Sequence, residues 1–487
     1  MKKKWKQRAL PVALTTAMIT MLVVGCGTEA NNAANQSSSA VTGSSAVVVS
    51  SSADGSTKKD STYLTEDDIT VNETLENSED GAHAITADGE DASYSNIKVI
   101  KTGESSGDEA DFYGENAAIF ATNGAELNLS EVVVDTNGTH ANGVFSYGEG
   151  TVVNISDSVI ETEGNCSGGL MTTGGGTMNA TNLTIHTTGN SSAAIRSDRG
   201  GGTVTVTKGS YTTDGTGSPV IYSTADITVS DALLESTASQ GIVVEGQNSV
   251  TLNDVTLTAD NNTKNSDKSD YYQAVMIYQS MSGDAAEGEA YFTMNGGSLT
   301  NKNGDIFFVN NTLCSINLSD AEIINNGDGV FLRAAAAGWG NEGSNGGHVT
   351  MNASGQTIDG DMIVDSVSSL NLYLKEKSSF TGAINPDGAA GDVYVDLSDG
   401  STWTLTGDSY VTSLTCDEDS IDLNGYTLYV NGTPYTAGTA ASGEAIEVEV
   451  SASSSVPGGA PGGEAGGTPG DAPGGEAGGT PPEKPSN

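Results

Sequence analysis

The chain is 487 residues long and carries 63 Asp and Glu against 19 Lys and Arg, a formal net charge of −44. Such a surface repels phosphate backbones and excludes nucleic acid as a partner. Only 6 % of the residues are aromatic and 63 are glycine. That composition can accompany disorder, but the apolar residues are regularly spaced, which argues against it.

The first segment is Lys2, Lys3, Lys4, Lys6 and Arg8 followed by an apolar run from Ala9 to Val24. A basic start, a short apolar stretch and small residues before a break mark a secretory signal rather than a fold element. Leu22-Val23-Val24-Gly25-Cys26 resembles the lipobox of bacterial lipoproteins. The resemblance implies cleavage before Cys26 and a diacylglycerol on its sulfur, so residues 1–25 are a signal peptide and the expected location is the outer face of the cell membrane. Residues 26–62 are rich in Ser and Ala and cannot bury a core, so they read as a flexible tether. Of the other cysteines, Cys166, Cys314 and Cys416 are far apart and form no metal-ligand spacing. Cys314 alternates with Ile316 and Leu318 and reads as a small buried hydrophobe.

From about residue 63 a repeat sets in. Its core is an apolar pair separated by one residue, followed by a second, looser apolar pair. The series runs Leu127/Leu129, Val153/Ile155, Met178/Ala180, Val204/Val206, Ile227/Val229, Val250/Leu252, Phe292/Met294 and Ile316/Leu318. The spacing is about 23 to 26 residues in most steps, within the solenoid range. An insertion over 260–290 lengthens one step. Each repeat also has an earlier apolar run, such as Val144-Phe145 or Val220-Ile221, and many close on a turn pair such as Asn137-Gly138, Glu163-Gly164, Asp214-Gly215 or Asn326-Gly327. Glycine there is expected to supply positive φ. Period-2 alternation means strand. Three short strands per repeat must pair with those of neighbouring repeats, which builds long parallel sheets. The fold class is therefore all-β, a parallel β-helix. It resembles the right-handed pectin-lyase-like solenoids over residues 63–436.

One column of the repeat reads Glu131, Asp157, Asn182, Lys208, Asp231, Asp254, Gly296 and Asp320. Asp or Asn there accepts backbone N–H groups of its own turn. A second reading of the column is a calcium site between Asp231 and Asp254 on adjacent coils, because hard cations favour oxygen ligands. From about residue 361 the register loosens. Ser401-x-Trp403-x-Leu405 and Ile421-Asp422-Leu423-Asn424-Gly425-Tyr426 resemble the last coils of bacterial adhesins with β-solenoid passengers, and such a segment covers an open strand edge. Residues 437–487 form an acidic tail that repeats Ala-Pro-Gly-Gly-Glu-Ala-Gly-Gly-Thr-Pro from Ala460 and Ala472.

The pectin-lyase-like resemblance implies polysaccharide cleavage by a basic residue with calcium and arginine, or by paired aspartates. The best matching cluster is Arg196, Asp198 and Arg199 with nearby Lys208. Gly347-His348 lacks an Asp-Asp pair on neighbouring strands. His83, His140 and His186 sit beside turn-like residues and read as solvated. No elbow, Walker or zinc motif occurs. The binding alternative rests on two long loops, 282–290 and 334–348, at the same station of their repeats and separated by one regular coil. They should rise side by side at about 10 Å, bringing Tyr278, Asp284, Arg333, Trp339 and His348 together as an exposed aromatic and polar patch suited to cell-wall or host glycans. The alternative for Trp339 is packing within its own loop. The function classes left open are an adhesin-like or carbohydrate-binding surface module, a polysaccharide lyase or hydrolase, and a rigid surface spacer.

Overall fold

The computed structural model describes residues 63–448. It is an all-β parallel β-helix. Eleven strands, from Ile85–Asp88 to Asp361–Val364, stack in chain order into one parallel sheet. The second strands, and the third strands as far as Glu322–Asn325, belong to a nineteen-stranded sheet. Their registers follow the repeat: Leu127 lies beside Val153, Val153 beside Met178, Met178 beside Val204, and so on to Ile316 beside Met351. Every residue of the apolar series is buried, and together they make one continuous core. Parallel pairing at fixed spacing forces this, because each inward side chain must lie on its counterpart in the next coil.

The second and third strands meet at a corner, and there the sequence column takes its meaning. Glu131, Asp157, Asn182, Lys208, Asp231, Asp254 and Asp320 all have φ between 48° and 64°. Asn96, Glu376 and Asp399 occupy the same region with φ of 53–56°. Asp and Asn tolerate left-handed backbone better than other non-glycine residues, which explains the composition of the column. Asp231 and Asp254 donate their backbone N–H groups to Asn253 and Asn295 of the following coils. No third His, Cys, Asp or Glu joins them in a metal-binding group among the described residues.

The turn glycines differ from expectation. Gly138, Gly164, Gly215 and Gly327 are not in positive φ. They are required by close approach: a Cβ on Gly164 would lie 1.9 Å from the carbonyl oxygen of Gly138, and one on Gly215 1.8 Å from that of Gly189. Beside them runs an internal serine ladder. Ala141 N–H donates to Ser167 Oγ at 2.9 Å, Ser167 N–H to Ser192 Oγ at 3.0 Å, and Ser192 N–H to Ser218 Oγ at 2.9 Å. The hydroxyls satisfy amides that the turn leaves without a strand partner.

The last coils keep parallel pairing in smaller sheets. Trp403 is fully buried, stacks on Phe380 and donates its Nε1 to Gly382 O at 2.9 Å. Tyr410 and Tyr429 stack at 4.8 Å, and the stack ends on the antiparallel pair Leu428–Val430 with Thr433–Pro434. Chain attached to the body continues past 436: Ala441 bridges Cys416, and Ile446 exchanges hydrogen bonds with Asn371. Cys314 is fully buried, and burial pushes its thiol up. The signal peptide, Cys26, the 26–62 tether and the tail beyond 448 lie outside the described residues.

Candidate functional site

The outer face of the eleven-stranded sheet is where the fold departs from a plain solenoid. Residues pointing inward join the main core, while those pointing outward form clusters of their own. Register aligns the outward residues in a column: Phe120, Phe145, Met171, Arg196, Tyr222, Val243, Met276, Phe308 and Arg333. A second column holds Glu245, Tyr278 and Asn310. An outward sheet face this apolar needs a cover. Four insertions supply it: residues 102–118, with the short helix Asp108–Tyr113, and residues 260–272, 279–288 and 335–346.

Under these insertions lies a buried charge cluster. Arg196 donates to Asp198 Oδ2 at 2.7 Å, and both are under 10 % exposed. Arg199 donates to Asp284 Oδ1 at 2.9 and 3.0 Å and to Asp108 Oδ2 at 3.2 Å, with its guanidinium 3.7 Å from the Phe112 ring centre. One arginine thus clasps the helical insertion to the 279–288 loop. Burial pushes the Asp198 carboxyl up to about 6 against the pull of Arg196, and Asp284 adds to the rise. Alongside, Glu245 accepts from Tyr222, Tyr278 and Ser280. Its carboxyl is also raised by burial. His140 Nδ1 lies 2.9 Å from Asp111 Oδ1, and both are buried. Each arginine is matched to carboxylates by direct hydrogen bonds, as buried charges require.

Two hollows open beside this cluster. A groove of about 680 Å³ lies at the turn between the first and second strands, bounded by Gln279, Glu287 and Glu289 on one side and Asn311, Asn341 and His348 on the other. Gln279 is 4 % exposed and its Oε1 has no partner. Burial lowers the affinity of the His348 ring for a proton, and its Nδ1 lies 3.0 Å from Ser369 Oγ. A smaller cavity of about 90 Å³ lies under the 260–272 insertion, against Tyr222, Val243, Met276, Tyr278 and Trp339.

The residues singled out in the sequence therefore divide. Arg196, Asp198 and Arg199 come together, and Asp284 joins them from 85 positions away. Lys208 does not join: it stands at a corner of the other sheet with φ 64°. Tyr278 and Trp339 meet edge to face at 5.2 Å, but they are 1 % and 4 % exposed rather than an open aromatic patch. Trp339 packs under its loop because the outward column offers an apolar floor to cover. Arg333 is bound to Asp305 at 2.7 Å and lies 4.1 Å from the Tyr271 ring centre. Burial raises the Asp305 carboxyl to about 6 against the pull of Arg333. Of the five residues read as a ligand patch, only His348 lines the groove. The loops themselves do sit at one station, with one regular coil between them.

Of the histidines read as solvated, His140 is buried on Asp111, His83 stacks on Phe120 at 4.6 Å, and His186 pairs with Asp214 at 2.8 Å. Glu245, Tyr222, Asp108 and Asp111 were not visible as site residues, since they come from two different coils and, for Asp108 and Asp111, from the helical insertion. A charged or aromatic residue replacing an aliphatic one in the earlier apolar run is the one signal that marks them, as at Arg196 and Tyr222. Comparison with protein-family models, curated proteins and solved structures finds no match to this chain.

Proposed function

We propose that this chain is a lipid-anchored β-helix of the cell surface that binds glycans in the groove between the 279–288 and 335–346 loops. The observation that carries the reading is the groove itself, a space of about 680 Å³ with amide and carboxylate walls. That volume is in the range of ligand sites. Amide side chains offer a donor and an acceptor each, which matches a run of sugar hydroxyls. Glu287 and Glu289 on a chain of charge −44 favour neutral or amino sugars over uronates. Anchoring rests on the lipobox-like residues before Cys26.

The test is a glycan array on the full chain, followed by calorimetry on each hit. Glu287→Gln combined with Asn341→Ala should weaken binding about tenfold with an unchanged melting temperature. An array without hits ends the reading, and so does full affinity in the double variant.

A further inference from the structure

The long sheet carries an uncharged strip on the outward side of its second strands. Two neighbouring columns run along it, from Ser93 to Asn352 and from Ser95 to Ser354. In ten successive coils both positions hold Ser, Thr or Asn, and none is charged or apolar. The strip ends at the next coil, where Tyr373 and Lys375 take the two places. All of its residues are exposed or half-buried. One residue further along each coil, the corner column holds Glu131, Asp157, Asp231, Asp254 and Asp320, all exposed, and the chain as a whole carries −44. Strand propensity does not select the strip's composition, because strands favour Thr but deplete Asn. The asparagines form amide ladders instead. Asn154 donates to Asn128 and Asn179 to Asn154, each at 2.9 Å; further along, Asn295 donates to Asn253 at 2.9 Å and Asn352 to Asn317 at 3.0 Å. A side-chain amide has two N–H donors and two acceptor lone pairs. A ladder therefore fixes each amide in one orientation without exhausting its capacity. At its first coils the strip sinks into a trough of about 510 Å³, lined by Asn128, Asn154 and Asn179 from one column and by Ser130, Ser156 and Thr181 from the other.

Ten coils at the strand spacing of about 4.8 Å make a strip about 43 Å long, and two residues of strand set its columns about 7 Å apart. With its side chains it offers on the order of 500 Å², short of the ~800 Å² per partner of a stable protein interface. That shape fits one extended polymer chain rather than a globular partner or a second copy. Charge narrows the polymer. A polyanion is repelled by the chain as a whole, and a polycation finds its carboxylates on the corner column. An uncharged polymer dense in groups that both donate and accept remains, which is the chemistry of a neutral polysaccharide. Each exposed hydrogen bond gains little against water, so affinity accumulates over many sugars.

We propose that this strip is a second binding site, which holds one chain of a neutral polysaccharide along the axis of the β-helix. It shares no residue with the groove, whose lining residues Leu313 and His348 precede Asn317 and Asn352 by four positions. The experiment is affinity electrophoresis of the full chain through native gels containing dextran, laminarin, mannan, xylan or hydroxyethylcellulose, with polygalacturonate as the charged control. At least one neutral polymer should retard the chain, polygalacturonate should not, and oligomers of the retarding polymer should gain affinity with length until they span the strip. Thr205→Glu with Thr251→Glu puts charge at the middle of the strip and should abolish the retardation at an unchanged melting temperature. Thr205→Val with Thr251→Val keeps shape and strand propensity and should weaken binding about tenfold; it decides if the glutamate variant melts lower. The groove variant Glu287→Gln with Asn341→Ala should leave the retardation intact, so failure of the groove reading and failure of this one are told apart. Free migration in every neutral polymer overturns the proposal, as does equal retardation by polygalacturonate or full retardation of the glutamate variant. A dimer in sedimentation that the glutamate variant splits assigns the strip to a second copy, thermal hysteresis lost in that variant assigns it to ice, and either overturns the proposal.

Discussion

Leu252→Ala tests the continuous stack at its middle. Leu252 is fully buried, with Val229 beside it in the preceding coil and Met294 in the following one, and both neighbours are fully buried too. The substitution removes about three methylene equivalents, worth ~2.4 kcal/mol of transfer free energy. A cavity term adds to this. Backbone ladders on both sides hold Val229 and Met294 at the strand spacing of about 4.8 Å, so collapse into the void is limited to rotamer changes of Met294. The expected loss is about 3–4 kcal/mol, in the upper part of the range for such substitutions. Guanidinium denaturation of the full chain, followed by far-ultraviolet circular dichroism, measures it. Thr251→Ala is the control: Thr251 sits between Thr228 and Thr293 and is only half-buried on the outer side of the strand, so it should cost under ~0.5 kcal/mol. A Leu252 loss below about 1 kcal/mol, or an equal loss from Thr251→Ala, would refute the inward-outward assignment.

Asp254 has φ 52°; Asp254→Gly should leave the melting temperature nearly unchanged, whereas Asp254→Val should cost about 1–2 kcal/mol by denaturation, since a β-branched residue is strained there. The folded Asp198 carboxyl titrates at about 6 against an ordinary 3.8. A raised acid favours the folded state when protonated, so its contribution to stability grows as pH falls from above 6 to below 3.8. Relative to Asp198→Asn, the native chain should gain on the order of 3 kcal/mol across that window, and parallel melting curves for the two would contradict it. Arg199→Met removes the clasp between Asp108 and Asp284; backbone amides of 279–288 should exchange faster while those of the inward strands keep their protection. Cys26→Ser should release the chain from the membrane fraction or block its processing, and unchanged retention and size would rule out the lipid anchor.

Much of the architecture was legible because a parallel β-helix imposes its period on the sequence. Leu127/Leu129 through Ile316/Leu318 could be aligned by eye, since one coil's inward residue must sit on the next, and the structure pairs them in that order. The corner column was legible as a composition, Asp and Asn recurring at one place, and its left-handed backbone supplies the reason. Gly164 and Gly215 were read for the wrong property: their role is the close approach of the neighbouring coil, and that contact joins residues about one coil apart. The loops at 279–288 and 335–346 were placed at the correct station, yet Trp339 and Tyr278 are buried and not displayed.

The sequence by itself determined the solenoid, its coil boundaries and the station of each insertion, because those follow from local alternation and spacing. Only the tertiary structure decided what the insertions do. Whether Arg199 meets Asp284 and whether Trp339 faces a cavity or solvent both depend on how four insertions fold over one sheet face. Those contacts join residues up to 91 positions apart, and no periodicity encodes them. The charges are buried there because the outward column beneath them is apolar and must be covered; Arg199 and Arg333 find carboxylate partners in other coils or insertions, whereas Arg196 pairs with Asp198 two residues along its own coil.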